Sequence, residues 1–186
     1  MKRVFIIHRW SGGPEDDWRL WLKNELQKLG YEVLVPNMPD IDTPVIKKWV
    51  GKLSEVVGLP DSKTYFVGHS IGCQAIMRYL ETIDASVGGA VFVAGWFGLK
   101  NLEDKETEEI AEPWIETPIN LEKVKSVLPK ATLIISEDDP FDCFEENKTK
   151  FAKIVTKSIV VPNAGHFTAE DGFTEFLSVL EELKNL

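Results

Sequence analysis

The sequence predicts an α/β fold, a three-layer doubly wound domain built around a mostly parallel six-stranded sheet. The first observation is that short runs of β-branched and aromatic residues alternate with segments whose apolar residues recur at helical spacing. The second is that each candidate chemical residue follows a predicted strand, as ligand-binding residues do in such sheets. Strands that alternate with helices pair in parallel through right-handed crossovers. We therefore expect residues 1–186 to form one domain with the local strand order 2-1-3-4-5-6.

The predicted elements follow one another without an internal repeat. Strands are expected at residues 4–8, 31–35, 64–67, 88–94, 131–136 and 158–161. Helices are expected from residue 18 until Gly30, after the pair Thr43-Pro44, after residue 70, around residues 143–156 and along the apolar face of residues 173–183. Residues 96–120 break the alternation, and we expect them to be an insertion that shapes the substrate site.

Composition and charge argue against several classes of partner. The net charge is −9 and the Lys and Arg residues are dispersed, so nucleic acid and anionic membrane surfaces are poor partners. No apolar run approaches the ~20 residues that span a bilayer. The apolar stretch at the N-terminus is too short for a signal peptide, so we expect a cytoplasmic protein. Cys73 and Cys143 are too few for a disulfide framework or a zinc cluster.

The segment Gly68-His69-Ser70-Ile71-Gly72 lies between a predicted strand and a predicted helix. This is the pattern of a nucleophile elbow, a sharp turn that presents a serine hydroxyl above the sheet. The backbone at the apex is strained and its neighbours approach closely, which favours glycine on either side. Ser70 is therefore the candidate nucleophile, and the Ile71 amide at the helix N-terminus is a candidate oxyanion donor.

A serine hydroxyl needs a general base, and the base needs an orienting carboxylate. His166 follows the sixth predicted strand, and the chain order Ser, Asp, His typical of this architecture makes it the candidate base. The carboxylate is expected in the acidic run after the fifth strand. Asp139 is favoured because the following proline fixes the turn, and Asp138 is the alternative.

The loop after the first strand is the expected source of a second oxyanion amide. Arg9 and Trp10 are both candidates, and the sequence does not choose between them. His8, at the end of that strand, could be packed in the core or line the pocket. The insertion is rich in acidic residues, and the favoured interpretation is a solvated acidic helix or loop. Alternatively, Trp96, Phe97 or Trp114 lines an apolar substrate pocket, and nearby acidic residues favour cationic substrates.

Several segments together form a recognisable pattern. They are the short first strand with its glycine-bearing loop, residues 18–26, 36–40 (Pro-Asn-Met-Pro-Asp), 68–72, 77–79 (Met-Arg-Tyr), 138–141 (Asp-Asp-Pro-Phe) and 165–167 (Gly-His-Phe). Through these segments the chain resembles, over essentially its full length, the small α/β-hydrolases of the retinoblastoma-binding protein 9 and YdeN type. The resemblance implies a compact serine hydrolase without a large cap domain, with Ser70, Asp139 and His166 as its triad. The Leu-x-Cys-x-Glu motif of the mammalian member is not reproduced, so retinoblastoma-protein binding is not expected.

These observations predict a serine hydrolase that cleaves a small ester, thioester or amide through an acyl-enzyme. The mechanism requires neither a metal nor an organic cofactor. A protein-interaction module with a vestigial site and an acyltransferase with a non-water acceptor are the alternatives.

Overall fold

A computed structural model describes residues 1–141 and 143–186. Its sheet has six strands, which are β1 (Arg3–Ile7), β2 (Glu32–Leu34), β3 (Thr64–His69), β4 (Gly89–Val93), β5 (Ala131–Ile135) and β6 (Lys157–Val160). They are arranged in the order β2-β1-β3-β4-β5-β6, and every neighbouring pair is parallel. The three central strands β3, β4 and β5 are buried along their whole length, as expected of strands covered on both faces. The predicted fold class and strand order are confirmed.

The helices cover both faces of the sheet. They are α1 (Arg19–Lys28), α2 (Ile46–Val57), α3 (Ile71–Leu80), α4 (Lys105–Glu116), α5 (Leu121–Val127), α6 (Phe144–Phe151) and α7 (Leu177–Asn185). One hydrophobic core contains α1 and α7 residues such as Leu22 and Val179. The core on the opposite face contains residues of α2 to α6, including Trp49 and Phe151. Helix, sheet and helix thus make the three layers that the sequence predicted.

Three helices differ from their predicted bounds. Helix α2 begins at Ile46, and Thr43 does not cap it because the extended Val45 precedes the first turn. Helix α6 ends at Phe151 rather than near residue 156. The closing helix begins at Leu177, so Phe173 and Phe176 precede it and pack on Phe167 instead.

The region 96–120 contains regular structure. Helix α4 begins after Asp104, whose side chain accepts a hydrogen bond from the Thr107 amide at 2.8 Å. This helix packs Ala111 and Trp114 inward and directs most of its acidic residues to solvent. Among the helices of the described residues, none is long and apolar enough to cross a membrane.

Candidate active site

The turn between β3 and α3 holds Ser70 in a conformation that few non-glycine residues adopt. Its φ is 55° and its ψ is −121°, and its amide donates to the Val93 carbonyl at 2.9 Å. A Cβ on Gly72 would overlap the Ile7 carbonyl oxygen, and one on Gly68 would lie 2.7 Å from the Cys73 nitrogen. Glycine is therefore required at both positions, and the turn has the geometry expected of a nucleophile elbow.

The His166 ring contacts Asp139. Its Nδ1 lies 2.7 Å from Oδ2 of Asp139, and the other carboxylate oxygen accepts from the Phe141 amide at 3.1 Å. Because a carboxylate accepts, Nδ1 carries the proton and Nε2 is left as an acceptor. The Phe141 ring packs edge-on against the imidazole, with the ring centroids 4.9 Å apart. The loop after β5 therefore fixes both the tautomer and the tilt of the imidazole.

Asp138 makes a different set of contacts. It accepts hydrogen bonds from the Ser136 hydroxyl and from the amides of Ala164 and Gly165, at 3.0 and 3.3 Å for the amides. The Ser136 hydroxyl, followed by these amides, lowers the pKa of the Asp138 carboxyl. Asp138 therefore joins the loop after β5 to the loop after β6, whereas Asp139 contacts the imidazole of His166.

The loop after β1 borders the same space, with Arg9 and Trp10 lining the cavity beside Ser70. Ile71 begins α3, so its amide belongs to the first-turn N–H groups that have no acceptor within the helix. The Trp10 indole donates to the Asp42 carbonyl at 3.0 Å, which ties this loop to the neighbouring one.

His8 lies beneath the loop rather than in the pocket. It is fully buried, its Nδ1 donates to the Arg9 carbonyl at 2.8 Å, and its Nε2 accepts from the Met38 amide at 3.1 Å. Burial is the main cause that lowers the pKa of His8. Because Nε2 accepts a hydrogen bond, it carries no proton and the ring is neutral. The sequence left open whether His8 is packed in the core or lines the pocket, and in the structure it is packed in the core.

A cavity of about 530 Å³ opens above Ser70 and His166. Of the three aromatic residues expected to line it, Trp96 does so, and its indole Nε1 lies 3.2 Å from the Ser70 Oγ. The expectation for the other two is corrected. Phe97 packs against Phe151, with centroids 4.9 Å apart, and Trp114 is buried with its indole donating to the Pro44 carbonyl at 2.9 Å. Both side chains pack in the hydrophobic core between the sheet and helices α2 to α6.

Buried polar residues that the sequence analysis did not select lie directly below the site. Arg19 and His69 are fully buried, and the Asp17 side chain is only 2% exposed. One signal was present in the sequence, because Arg19 shares a helix face with Leu22 and Leu26 and so places a cation on the apolar stripe. A cation in the first turn of a helix also opposes the helix dipole. No cluster of three or more metal-ligating side chains was found in the described part of the chain.

A parallel sheet of this order, with a serine at a strand-to-helix elbow, defines the α/β-hydrolase class of protein. The model of the serine hydrolase family matches residues 4–185, and the chain belongs to that family. It is 29% identical to YdeN of Bacillus subtilis (strain 168) over 98% of this chain and 94% of the relative. It is also 29% identical to the serine hydrolase RBBP9 of Rattus norvegicus, over 91% of this chain and 86% of the relative.

Solved structures agree with this assignment. The crystal structure of the ydeN gene product from B. subtilis superposes with a TM-score of 0.91 at 28% identity, covering 100% of this chain and 98% of the other. Est1E from Butyrivibrio proteoclasticus, solved with ferulic acid bound, superposes with a TM-score of 0.75 at 15% identity, over 100% and 89% of the two chains. The second likeness concerns the fold alone.

Proposed function

We propose that this hydrolase cleaves small ester, thioester or amide bonds through an acyl-enzyme on Ser70, with His166 as general base and Asp139 as its orienting carboxylate. The observation that carries the proposal is the 2.7 Å contact between Asp139 and Nδ1 of a histidine that lines the same cavity as Ser70. That contact leaves Nε2 of the imidazole able to accept a proton, and the elbow presents the serine hydroxyl to the cavity.

The reaction would proceed in two halves. His166 Nε2 takes the hydroxyl proton as Ser70 Oγ attacks the substrate carbonyl carbon, and the carbonyl oxygen becomes an oxyanion. The Ile71 amide and an amide of Arg9 or Trp10 would stabilise that charge. The imidazolium then protonates the leaving alcohol, thiol or amine as the bond to carbon breaks. Water, deprotonated by His166, attacks the acyl-enzyme and releases the acid, which regenerates the Ser70 hydroxyl.

The charges around the cavity support a preference for cationic substrates. Among the residues that the structure describes, six acidic residues line it, which are Asp42, Glu103, Asp104, Glu106, Glu170 and Asp171. In the described part of the lining the Lys and Arg residues are represented by Arg9, whose Nε donates to Asp17 at 3.1 Å. A negative rim raises the local concentration of cations and lowers that of anions. The proposed substrate is therefore a small ester or amide that carries a positive charge.

A fluorophosphonate probe tests the nucleophile and the base. The wild type is expected to label rapidly, Ser70→Ala not at all, and His166→Ala at least about 10²-fold more slowly, because general-base catalysis contributes on that order. Thermal unfolding of all three proteins controls for misfolding. Absence of labelling of the folded wild type would contradict the proposal and favour an interaction module with a vestigial site. Product analysis with water and with an added alcohol or amine as acceptor separates a hydrolase from an acyltransferase.

A further inference from the structure

Three consecutive residues at the start of α1 reach the loop that carries His166. The Asp17 Oδ1 accepts from the Ala169 amide at 2.9 Å. The Trp18 indole donates to the Phe167 carbonyl at 3.0 Å. The third residue, Arg19, reaches the His166 backbone through one intervening side chain, that of His69. The backbone of the candidate base and of the residues that follow it is thus held by side chains that are distant in sequence.

His69 joins Arg19 to His166 through both of its ring nitrogens. Nδ1 of His69 lies 3.1 Å from an Arg19 guanidinium nitrogen, and Nε2 lies 2.7 Å from the His166 carbonyl oxygen. A guanidinium only donates and a carbonyl only accepts. Nδ1 must therefore be the acceptor, and Nε2 must carry the proton. Arg19 selects the tautomer of His69 that can hold the His166 backbone.

The cluster is buried and its charges are paired. The Arg19 guanidinium donates to Asp17 at 2.8 Å, and both side chains are nearly inaccessible to solvent. Burial, followed by the charges of His166 and Arg19, lowers the pKa of His69 well below its usual range, so the ring is neutral. Burial alone would raise the pKa of Asp17, but the Ala169 amide and the neighbouring cations lower it. A buried ion pair is by itself weak evidence of stabilisation. The groups that this pair orients are therefore more informative about its role.

The same cluster contacts the loop that carries the candidate oxyanion donors. Arg19 Nε donates to the Gly13 carbonyl at 2.9 Å, and Arg9 Nε donates to Asp17 at 3.1 Å. His69 itself is the residue before Ser70. One buried cluster therefore contacts the three loops that hold the candidate nucleophile, base and oxyanion donors.

We infer that His69 is a positioning residue that places the His166 imidazole for proton transfer. Arg19 sets the tautomer of His69, and Asp17 in turn holds Arg19. The inference rests on the proposed function, because it gives His69 a role in that reaction. His69 does not touch the reacting atoms, and it acts through the backbone carbonyl of His166.

The test compares two substitutions of His69 in the full-length protein. His69→Met removes both hydrogen bonds, whereas the amide of His69→Gln keeps one donor and one acceptor. With p-nitrophenyl acetate, His69→Met is expected to lower kcat by about 10²-fold, the size of effect that misplacement of a catalytic group produces. KM should stay within about threefold, since the ester does not contact His69. His69→Gln is expected to recover kcat to within about fivefold of the wild type.

A matched control separates positioning from lost stability. Val124→Ala truncates a fully buried side chain of α5, which belongs to the opposite core, and is expected to lower the melting temperature while leaving kcat unchanged. A second readout is the ¹⁵N spectrum of the imidazoles, in which His69 should show the Nε2–H tautomer between pH 5.5 and 8. An Nδ1–H tautomer, or titration of His69 in that range, would overturn the inference.

The kinetic outcomes also distinguish this inference from the proposed function. If the wild type is active and labelled by the probe but folded His69→Met keeps its kcat, the positioning role is overturned and the proposed function stands. If His69→Gln loses as much kcat as His69→Met, the two hydrogen bonds of His69 do not determine the activity, and the inference fails. A wild type inert to both ester and probe overturns the proposed function, and this role with it.

Discussion

The indole Nε1 of Trp96 lies 3.2 Å from Oγ of Ser70, while the backbone carbonyl of Trp96 accepts from Gln74 at 3.0 Å. An indole N–H only donates, so the serine oxygen accepts this bond and keeps its own hydrogen for another partner. Trp96 thus leaves the hydroxyl hydrogen available to His166. Transfer of the proton from Ser70 to the imidazole would require the hydroxyl hydrogen to be available in this way.

Trp96→Phe removes the donor and keeps an aromatic ring in its place. We expect kcat/KM for p-nitrophenyl acetate to fall about fivefold, which corresponds to the ~1 kcal/mol of a neutral hydrogen bond. Trp114→Phe is the matched control, because its indole donates to Pro44 outside the cavity. Its kcat/KM should stay within twofold of the wild type. Equal values for wild type and Trp96→Phe would show that the bond does not contribute to acylation.

Exchange of each neighbouring acid for its amide tests the assignment of the carboxylate. Asp139→Asn is expected to lower kcat by about 10³- to 10⁴-fold, because an amide in that position favours the wrong imidazole tautomer. Asp138→Asn should lower kcat less than tenfold and instead reduce the free energy of unfolding, since it removes a charged acceptor from three donors. Steady-state kinetics and urea unfolding measure both. A larger kinetic loss in Asp138→Asn would reverse the assignment.

Buried neutral histidines predict that the protein loses stability on mild acidification. The pKa values of His8 and His69 are lowered mainly by burial, so the folded protein does not bind the protons that the unfolded chain binds below pH ~6.5. The free energy of unfolding should then fall as the pH drops from 6.5 to 5.5, with the larger share from His69, whose pKa is lowered further. Urea unfolding of His69→Gln should show a weaker pH dependence than the wild type. Equal pH slopes for variant and wild type would contradict the prediction.

Substitution of glycine by alanine is predicted to have opposite effects at Gly72 of the elbow and at Gly51 of α2. In Gly72→Ala the new methyl group meets the Ile7 backbone, which cannot move aside, so the free energy of unfolding should fall by about 3 kcal/mol or more. Gly51→Ala lies in α2 with open space around it and should raise that free energy by about 0.5–1 kcal/mol. Chemical denaturation measures both. A neutral Gly72→Ala would show that α3 can shift away from β1.

The acidic rim predicts a charge preference that salt should weaken. In a matched set of neutral, cationic and anionic esters, the cationic ester should have the highest kcat/KM and the anionic ester the lowest. The difference should shrink when the ionic strength is raised to 0.5 M, because the rim charges are then screened. Equal values across the set at low salt would exclude an electrostatic role for the rim.

The order of the sheet and the position of the elbow could be predicted because each depends on local signals. Alternating strand and helix patterns specify parallel pairing, and Gly68 and Gly72 carry the steric signature of the turn. The Asp17-Arg19-His69 cluster could not be predicted, because its partners lie about 50 and 150 residues apart in the chain. Trp96 lines the cavity as predicted, whereas the placement of Phe97 and Trp114 in the core depends on packing between distant segments.

The bonds from Asp17 and Trp18 to the loop after β6 have a consequence for how activity arises during folding. They join residues 152 and 149 positions apart, so each closes a loop that contains most of the chain. Closing a loop of this length carries an entropic cost that must be met before the contact stabilises the fold. A growing chain therefore exposes its serine turn before its histidine can be docked. The enzyme would be inactive during synthesis and would become active only once residues 17 and 18 contact the loop after β6.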